Sequence, residues 1–216
     1  MKVYTILLTI LILYIIAVLI KRIFYPLKYL SEEQKYNLYR LMERVHQLCK
    51  DHHIPYFIIA GTLLGSIRHK GFIPWDNDID IGIMKEDLKR LQAVDFSAYG
   101  LEAKLSKNDI GKIYFPEHYG NGEKYESVFL DVFVHEEVEG NKIQFTCDWA
   151  RDLWPKEYFY RNEIFPLREY SFGTSKVSGP NQFNPYATRV WGDWRAYPLD
   201  IYLQLLFYPE KVEWLF

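Results

Sequence analysis

Cysteine is nearly missing: Cys49 and Cys147 are the two in 216 residues. A single pair builds neither a disulfide framework nor a zinc site, and it does not assign a redox compartment. Excess positive charge is missing too. Twenty-six Lys and Arg stand against 28 Asp and Glu, for a net charge of −2 and a pI near 6.3. The electrostatic footprint of a nucleic-acid binder is therefore absent. There is no internal repeat and no low-complexity linker. Aromatic residues, by contrast, make up 18% of the chain, which suits a packed α/β core with stacking surfaces for sugars or bases.

One long apolar run opens the chain. Val3 to Ile20, VYTILLTILILYIIAVLI, is 18 residues without a charge. As a helix it would be about 27 Å long, enough for a thin bilayer. No small-residue cleavage site follows it; Lys21-Arg22-Ile23-Phe24-Tyr25-Pro26 comes instead, so residues 1–22 read as an uncleaved single-pass signal anchor rather than a signal peptide. Lys2 precedes the run, and Lys21, Arg22 and Lys28 follow it. That excess leans towards the rest of the chain lying on the cytoplasmic side. Roughly 190 residues remain beyond the anchor, enough for one compact domain.

Ser31-Glu32-Glu33-Gln34 has the form of a capping box. It would open a helix to about Asp51, with Leu38, Leu41, Met42, Val45 and Leu48 as the buried face. Strands are expected over Tyr56–Ala60, Leu101–Ser106, Lys112–Phe115, through the Val128–Val134 run and over Lys142–Cys147. An amphipathic helix is expected over Lys85–Val94, a turn at Asn121-Gly122 and an irregular section from Arg151 to Trp154 onward. Glu163–Val177 reads as a hairpin. Asn184-Pro185 would cap a short helix ending at Gly192, and residues 199–216 a closing helix.

The chemistry concentrates in Gly61–Gly82, GTLLGSIRHKGFIPWDNDIDIG. Asp76, Asp78 and Asp80 alternate with Asn77, Ile79 and Ile81. On a strand the three carboxylates would share one face. Like charges so close push each other's pKa apart unless a cation joins them. An oxygen-only set suits a hard ion, Mg²⁺ or Mn²⁺. A calcium loop fails at its sixth position, which is Ile81 where the turn needs Gly, and at its twelfth, Asp87. Gly61 and Gly65-Ser66 would let backbone N–H groups approach a phosphate, although P-loop spacing is absent. Asp131 lies inside the apolar run Val128–Val134. A charge there is costly without a partner, so a metal is the more economical reading.

Gly65-Ser66, a short basic loop and then Asp78-Ile79-Asp80 resemble the nucleotidyltransferase superfamily. In that superfamily Gly-Ser opens a helix or loop, an Asp pair lies on the next strand and a third carboxylate comes from a later one. The whole of Gly61–Gly82 resembles the signature of the LicD family, which includes fukutin and fukutin-related protein. Val128–Val134 resembles that family's later acidic strand. Glu163–Gly173, Pro180 and Tyr186 through Trp194 resemble its C-terminal block. The likeness runs from about Ser31 to Pro198, taken as the catalytic domain.

The resemblance implies an α/β (α+β) fold, a nucleotidyltransferase-like mixed sheet flanked by helices. It implies transfer of a phospho-alcohol, such as phosphocholine or ribitol phosphate, from a CDP-activated donor to a glycan or glycoconjugate hydroxyl. By position Asp78, Asp80 and Asp131 would be the catalytic metal-binding acids, with Asp76 as a further metal-binding residue of the motif. Gly65, Ser66, Arg68, His69 and Lys70 would lie near the donor phosphates. Arg68 has the fork that matches phosphate. Lys70 reads equally as a solvated turn residue, and His69 as a packed, hydrogen-bonded one. The fukutin branch implies an endomembrane (Golgi or ER) lumen, against the charge bias at the anchor, so the catalytic side stays open. Two other functions stay open as well: a different nucleotidyltransferase acting on a small molecule, and a catalytically inactive glycan- or transferase-binding partner.

Overall fold

A computed structural model describes residues 2–24, 30–106, 108–119 and 128–197 of the chain. The expected Asn121-Gly122 turn and the closing helix over 199–216 lie outside them. The chain divides into two units, Leu30–Gly192 and, separately, Met1–Tyr29 with Asp193–Phe216. In the latter, helix α1 (Lys2–Phe24) contains the apolar run Val3–Ile20, 6% of which is buried. It is long and apolar enough to cross a membrane.

In the larger unit, helix α2 (Glu32–Asp51) begins at the capping box. Ser31 Oγ accepts from the Gln34 N–H at 3.1 Å, and Gln34 Oε1 accepts from the Ser31 N–H at 2.9 Å, satisfying two donors that every helix start leaves orphaned. Its five expected apolar residues, Leu38, Leu41, Met42, Val45 and Leu48, are all buried. Strand β1 (Tyr56–Ile58) follows, then helix α3 (Ala60–Arg68) and strand β2 (Ile79–Met84). Here the structure departs from expectation. Only Asp80 is on the strand; Asp76 and Asp78 belong to the loop before it. Pro74 has no N–H to give a ladder, and the Asp76 N–H turns back to the Ile73 carbonyl at 2.9 Å. Gly65-Ser66 does not open a helix either. The first turn of α3 closes earlier, with the Leu63 N–H on the Ile59 carbonyl at 3.0 Å.

The expected helix after β2 is split into a 3₁₀ turn, Lys85–Asp87, and a short α4 (Leu88–Gln92), with Leu88 and Leu91 inward as its apolar spacing required. Strands β3 (Glu102–Lys104), β4 (Gly111–Tyr114), β5 (Phe129–Val138) and β6 (Lys142–Phe145) fall where strands were expected, though β5 runs four residues further. Asp148–Leu153, partly assigned to irregular chain, is helix α5. After β7 (Phe159–Tyr160), Glu163 sits in a one-turn α6 (Arg161–Ile164) rather than in the hairpin, which is β8 (Arg168–Phe172) and β9 (Ser175–Gly179). Helix α7 (Phe183–Trp191) starts one residue before Asn184 and ends at Gly192. Pro185 is tolerated because a first helical turn needs no N–H from it.

The main sheet runs β1-β2-β5-β4-β3, with β6 on the far half of β5 and β7 on β6. Its centre is the parallel pair β2–β5; the other ladders are antiparallel. One face carries Ile79, Ile81, Ile83, Leu130, Val132 and Val134, all buried, and α2 lies over it, with His46 hydrogen-bonded to Tyr56 at 2.7 Å. The other face carries the acids. Beside them Phe57 and Phe159 pack edge to face, and Phe159 stacks on Tyr186 of α7 at 4.1 Å. Gly82 is required between these layers: a Cβ there would stand 2.4 Å from the Phe57 ring and 2.9 Å from His135. Cys49 and Cys147 are buried and unpaired.

Candidate active site

Sheet register assembles the site. Asp80 of β2 pairs directly with Asp131 of β5, and Asp131 with Lys112 of β4. Side chains at paired positions share a sheet face, so the three form one row across three strands. Lys112 Nζ reaches Asp131 Oδ1 at 2.5 Å and also lies 3.7 Å from the centre of the Phe129 ring. The Thr62 hydroxyl accepts from the Asp80 N–H at 2.9 Å, and the Asp80 carbonyl accepts from the Ile59 N–H at 3.1 Å. These two bonds tie the start of β2 to the start of α3. Asp78 joins from the loop. One carboxylate oxygen from each of Asp78, Asp80 and Asp131 lies within 4.8 Å of the other two.

The charges strain against one another. Burial, then the charges of Asp78, Asp76, Asp131 and Glu157, push the Asp80 carboxyl well above the usual carboxylate range. Burial raises Asp131, and the Lys112 ammonium pulls part of that back. Asp76 does not join the three. Its carboxylate folds over Gly61, where a Cβ would stand 2.2 Å from Oδ2. Burial, the Asp78 charge and a hydrogen bond with Asp78 raise its pKa to about 8.

A divalent cation fits this donor set. An octahedral ion with bonds of about 2.1 Å holds its oxygens roughly 3–4 Å apart, so the 4.8 Å spread closes with small side-chain rotations. Neutralising repelling carboxylates also removes the like-charge part of the Asp80 shift.

Asp78, Asp80 and Asp131 line a cavity of about 240 Å³. Ile59, Ile110, Phe133, Phe145 and Trp154 make its apolar wall, and Glu157 also faces it. Phe133, Phe145 and Trp154 form a cluster with centroids 5.1 to 6.3 Å apart. None of the five residues expected near the phosphates is among the lining side chains. Gly65 packs against the Gly71 carbonyl, 2.4 Å from where a Cβ would be. Ser66 is buried, its hydroxyl donating to the Leu63 carbonyl at 2.7 Å. Arg68 and His69 end α3, and burial plus the Arg68 charge lower the His69 pKa to about 4. Lys70 is exposed at φ 55°, with its ammonium 3.5 Å from the Ile67 carbonyl.

Sequence reasoning missed Lys112, Glu157, Thr62, Tyr186 and the aromatic wall. Lys112 becomes visible only once the β4–β5 register is known. Glu157 stands in an aromatic-rich stretch with no motif around it.

Comparison with known proteins places these residues in context. The family model described as LicD/FKTN/FKRP, nucleotidyltransferase domain, matches residues 53–182, which include every acid of the cavity. An uncharacterized protein of Rickettsia prowazekii is 35% identical over 190 residues, 84% of this chain and 66% of that one. The lipopolysaccharide cholinephosphotransferase LicD of Haemophilus influenzae is 41% identical over 118 residues, 49% of this chain and 44% of that one. The human ribitol 5-phosphate transferase FKRP is 49% identical over 130 residues, 60% of this chain and 22% of that one. The chain spans 66% and 50% of the length of the two Rickettsia relatives it matches.

Proposed function

This chain belongs to the LicD family, and from that premise we propose that it is a phosphotransferase moving a phospho-alcohol from a CDP-linked donor to a glycan hydroxyl. The observation that carries the proposal is the convergence of Asp78, Asp80 and Asp131 at one cavity, from a loop and two strands. The activities named for the relatives, choline-phosphate and ribitol-phosphate transfer, suggest the class of group transferred.

In this reading Asp78, Asp80 and Asp131 would hold Mg²⁺ or Mn²⁺, which would supply charge neutralisation to a diphosphate and its leaving oxygen. The chain's own residues do the positioning. Lys112 fixes the Asp131 rotamer through its ion pair. Thr62 fixes the start of β2, so that Asp80 cannot swing off the row. The apolar wall keeps water away and offers rings to a flat or apolar part of the donor. The acceptor hydroxyl attacks the alcohol-bearing phosphorus in line, and CMP departs. Positioning and fixed electrostatics supply most of the rate. Helix α1 would tether the protein to a membrane, its apolar length being the support for that.

The test is CMP release by the full chain in detergent from CDP-ribitol, CDP-choline and CDP-glycerol with Mn²⁺. Asp80→Ala should abolish it. Wild-type turnover by that variant would rule out the role of the acids. Nucleotide attached to the acceptor, in place of freed CMP, would move the chain to another nucleotidyltransferase reaction. A wild-type protein that neither binds Mn²⁺ nor releases CMP would be a non-catalytic binding partner.

A further inference from the structure

Besides Asp78, Asp80 and Asp131, the cavity is lined by one more carboxylate, Glu157. We propose that Glu157 is the general base that accepts the proton of the acceptor hydroxyl. The inference rests on the phosphotransfer reading above and adds to it a residue with its own role.

Its surroundings suit that role. The carboxylate is reached from α7 by Tyr186, whose hydroxyl donates to Glu157 Oε2. The same hydroxyl accepts from the Ala60 N–H at 3.1 Å. Tyr186 is fully buried and stacked on Phe159, so it cannot turn away. A phenol has one proton, and this one is committed to Glu157. Glu157 is thereby fixed as an acceptor on Oε2 and oriented from the start of α3, the helix whose Thr62 also anchors Asp80.

Arg189 is the cation that would otherwise quench it. Its guanidinium is committed elsewhere, to Glu163 at 2.7 and 3.1 Å and to the Tyr158 carbonyl at 2.6 Å. The groups whose charge or hydrogen bond acts on Glu157 are thus Tyr186 and Arg189 on α7 and Asp80 on β2. Burial pushes the Glu157 carboxyl up to about 7, while the Tyr186 hydrogen bond and the Arg189 charge hold it down. A base near the working pH is the efficient one.

The step balances. The acceptor O–H gives its proton to the Glu157 carboxylate. The hydroxyl oxygen forms the new bond to phosphorus. The bond from that phosphorus to the bridging oxygen breaks, and its electron pair leaves with CMP.

The experiment compares wild type, Glu157→Gln and Glu157→Asp as full chains in detergent. CMP release from the three CDP-alcohols is followed across pH, with water or methyl hexosides as acceptor. Donor-dependent thermal stabilisation with Mn²⁺ is the second readout. Gln keeps the shape and still accepts from Tyr186. Glu157→Gln should stabilise with donor as wild type does, lose roughly 10²- to 10⁴-fold in kcat and lose the acidic limb of the pH profile. Glu157→Asp should recover part of the rate and keep that limb. Loss of donor stabilisation together with rate would make Glu157 a structural or donor-binding residue and overturn the proposal. So would Glu157→Gln turnover within threefold of a working wild type, and that result would leave the phosphotransfer reading standing. No CMP release by wild type from any donor would remove the phosphotransfer reading, and the base with it.

Discussion

Replacing Asp80 with Asn should make the metal-free protein more stable and the metal-treated protein less so. Asp78, Asp80 and Asp131 each bring an oxygen within 4.8 Å of the others. At that distance, and at an effective dielectric of about 20, two carboxylates repel by roughly 3.5 kcal/mol. The full sum is not reached, because the raised pKa of Asp80 lets a proton relieve the cluster, and because Lys112 already neutralises Asp131. A net gain of ~1–2 kcal/mol for Asp80→Asn in chelator is the expected size. For a domain of this length that is a rise in Tm of ~2–8 °C. Asn is isosteric, and the Thr62 bond goes to the backbone N–H of residue 80, so the change leaves that bond in place. The order reverses on titrating Mn²⁺. Wild type should gain about 2.7 kcal/mol at a hundred times Kd, and the variant should gain little. Scanning calorimetry of both proteins in detergent, with EDTA and across a Mn²⁺ series, reads both halves. If Asp80→Asn melts below wild type in EDTA, repulsion is not stored in the cluster. If Mn²⁺ stabilises both proteins equally, Asp80 is not a ligand.

Other perturbations probe the surroundings. Gly82→Ala drives a methyl into the Phe57 ring and His135 and should cost ~1–3 kcal/mol in denaturant titration without altering Mn²⁺ affinity; a neutral result would mean the two layers are looser than described. Gly61→Ala must displace the Asp76 carboxylate, which hydrogen-bonds Asp78, so it should shift Asp78 and weaken Mn²⁺ binding measured by calorimetry while Tm stays near wild type; unchanged affinity would mean that Asp78 does not depend on Asp76 for its position. His135, fully buried with Nε2 unpartnered, has its pKa lowered by burial to about 4 from an ordinary 6.5. Between those values the unfolded imidazole takes up a proton and the folded one does not, so His135 removes stability as pH falls from 6.5 to 4. Glu157 acts in the opposite sense: its folded carboxyl titrates at about 7 against an ordinary 4.5, so it removes stability as pH rises across that window. His135→Phe should therefore flatten the acid side of the stability curve, costing under ~1.5 kcal/mol at pH 7; parallel curves for the two proteins would contradict the assigned cause.

The elements that were legible in the sequence are those where local chemistry decides. The Ser31–Gln34 box and the apolar spacing of Leu38, Leu41, Met42, Val45 and Leu48 specify α2 before any tertiary contact forms, and the structure has them as expected. The aspartate inside Val128–Val134 was legible because a charge is conspicuous in an apolar strand. Period-two reasoning went too far at Asp76 and Asp78. Alternation is a property of a paired strand, and Pro74 with the Asp76 turn delays pairing until Ile79. Short helices were misjudged where tertiary packing supplies the stability: α5 and α6 have 6 and 4 residues, lengths at which isolated helices do not form in water. Lys112 and Glu157 are ordinary residues in ordinary stretches, and Tyr186, though it opens part of the C-terminal block, carries no local sign of its partner; their meaning comes from where the chain returns.

Register explains why so much depends on the parallel pair. A slip of one residue between β2 and β5 would carry Asp131 to the face held by Leu130, Val132 and Val134, since side chains alternate with period two. That slip would also send those three residues, each at most 4% exposed, to the cavity side. The apolar face therefore sets which face the acids take: burying Ile79, Ile81 and Ile83 beside Leu130, Val132 and Val134 excludes a one-residue slip, and the register adopted aligns Asp80 with Asp131. Core packing on the α2 side holds the carboxylates together against their repulsion. Substitutions in that layer should consequently loosen the cluster of Asp78, Asp80 and Asp131 before they unfold the protein.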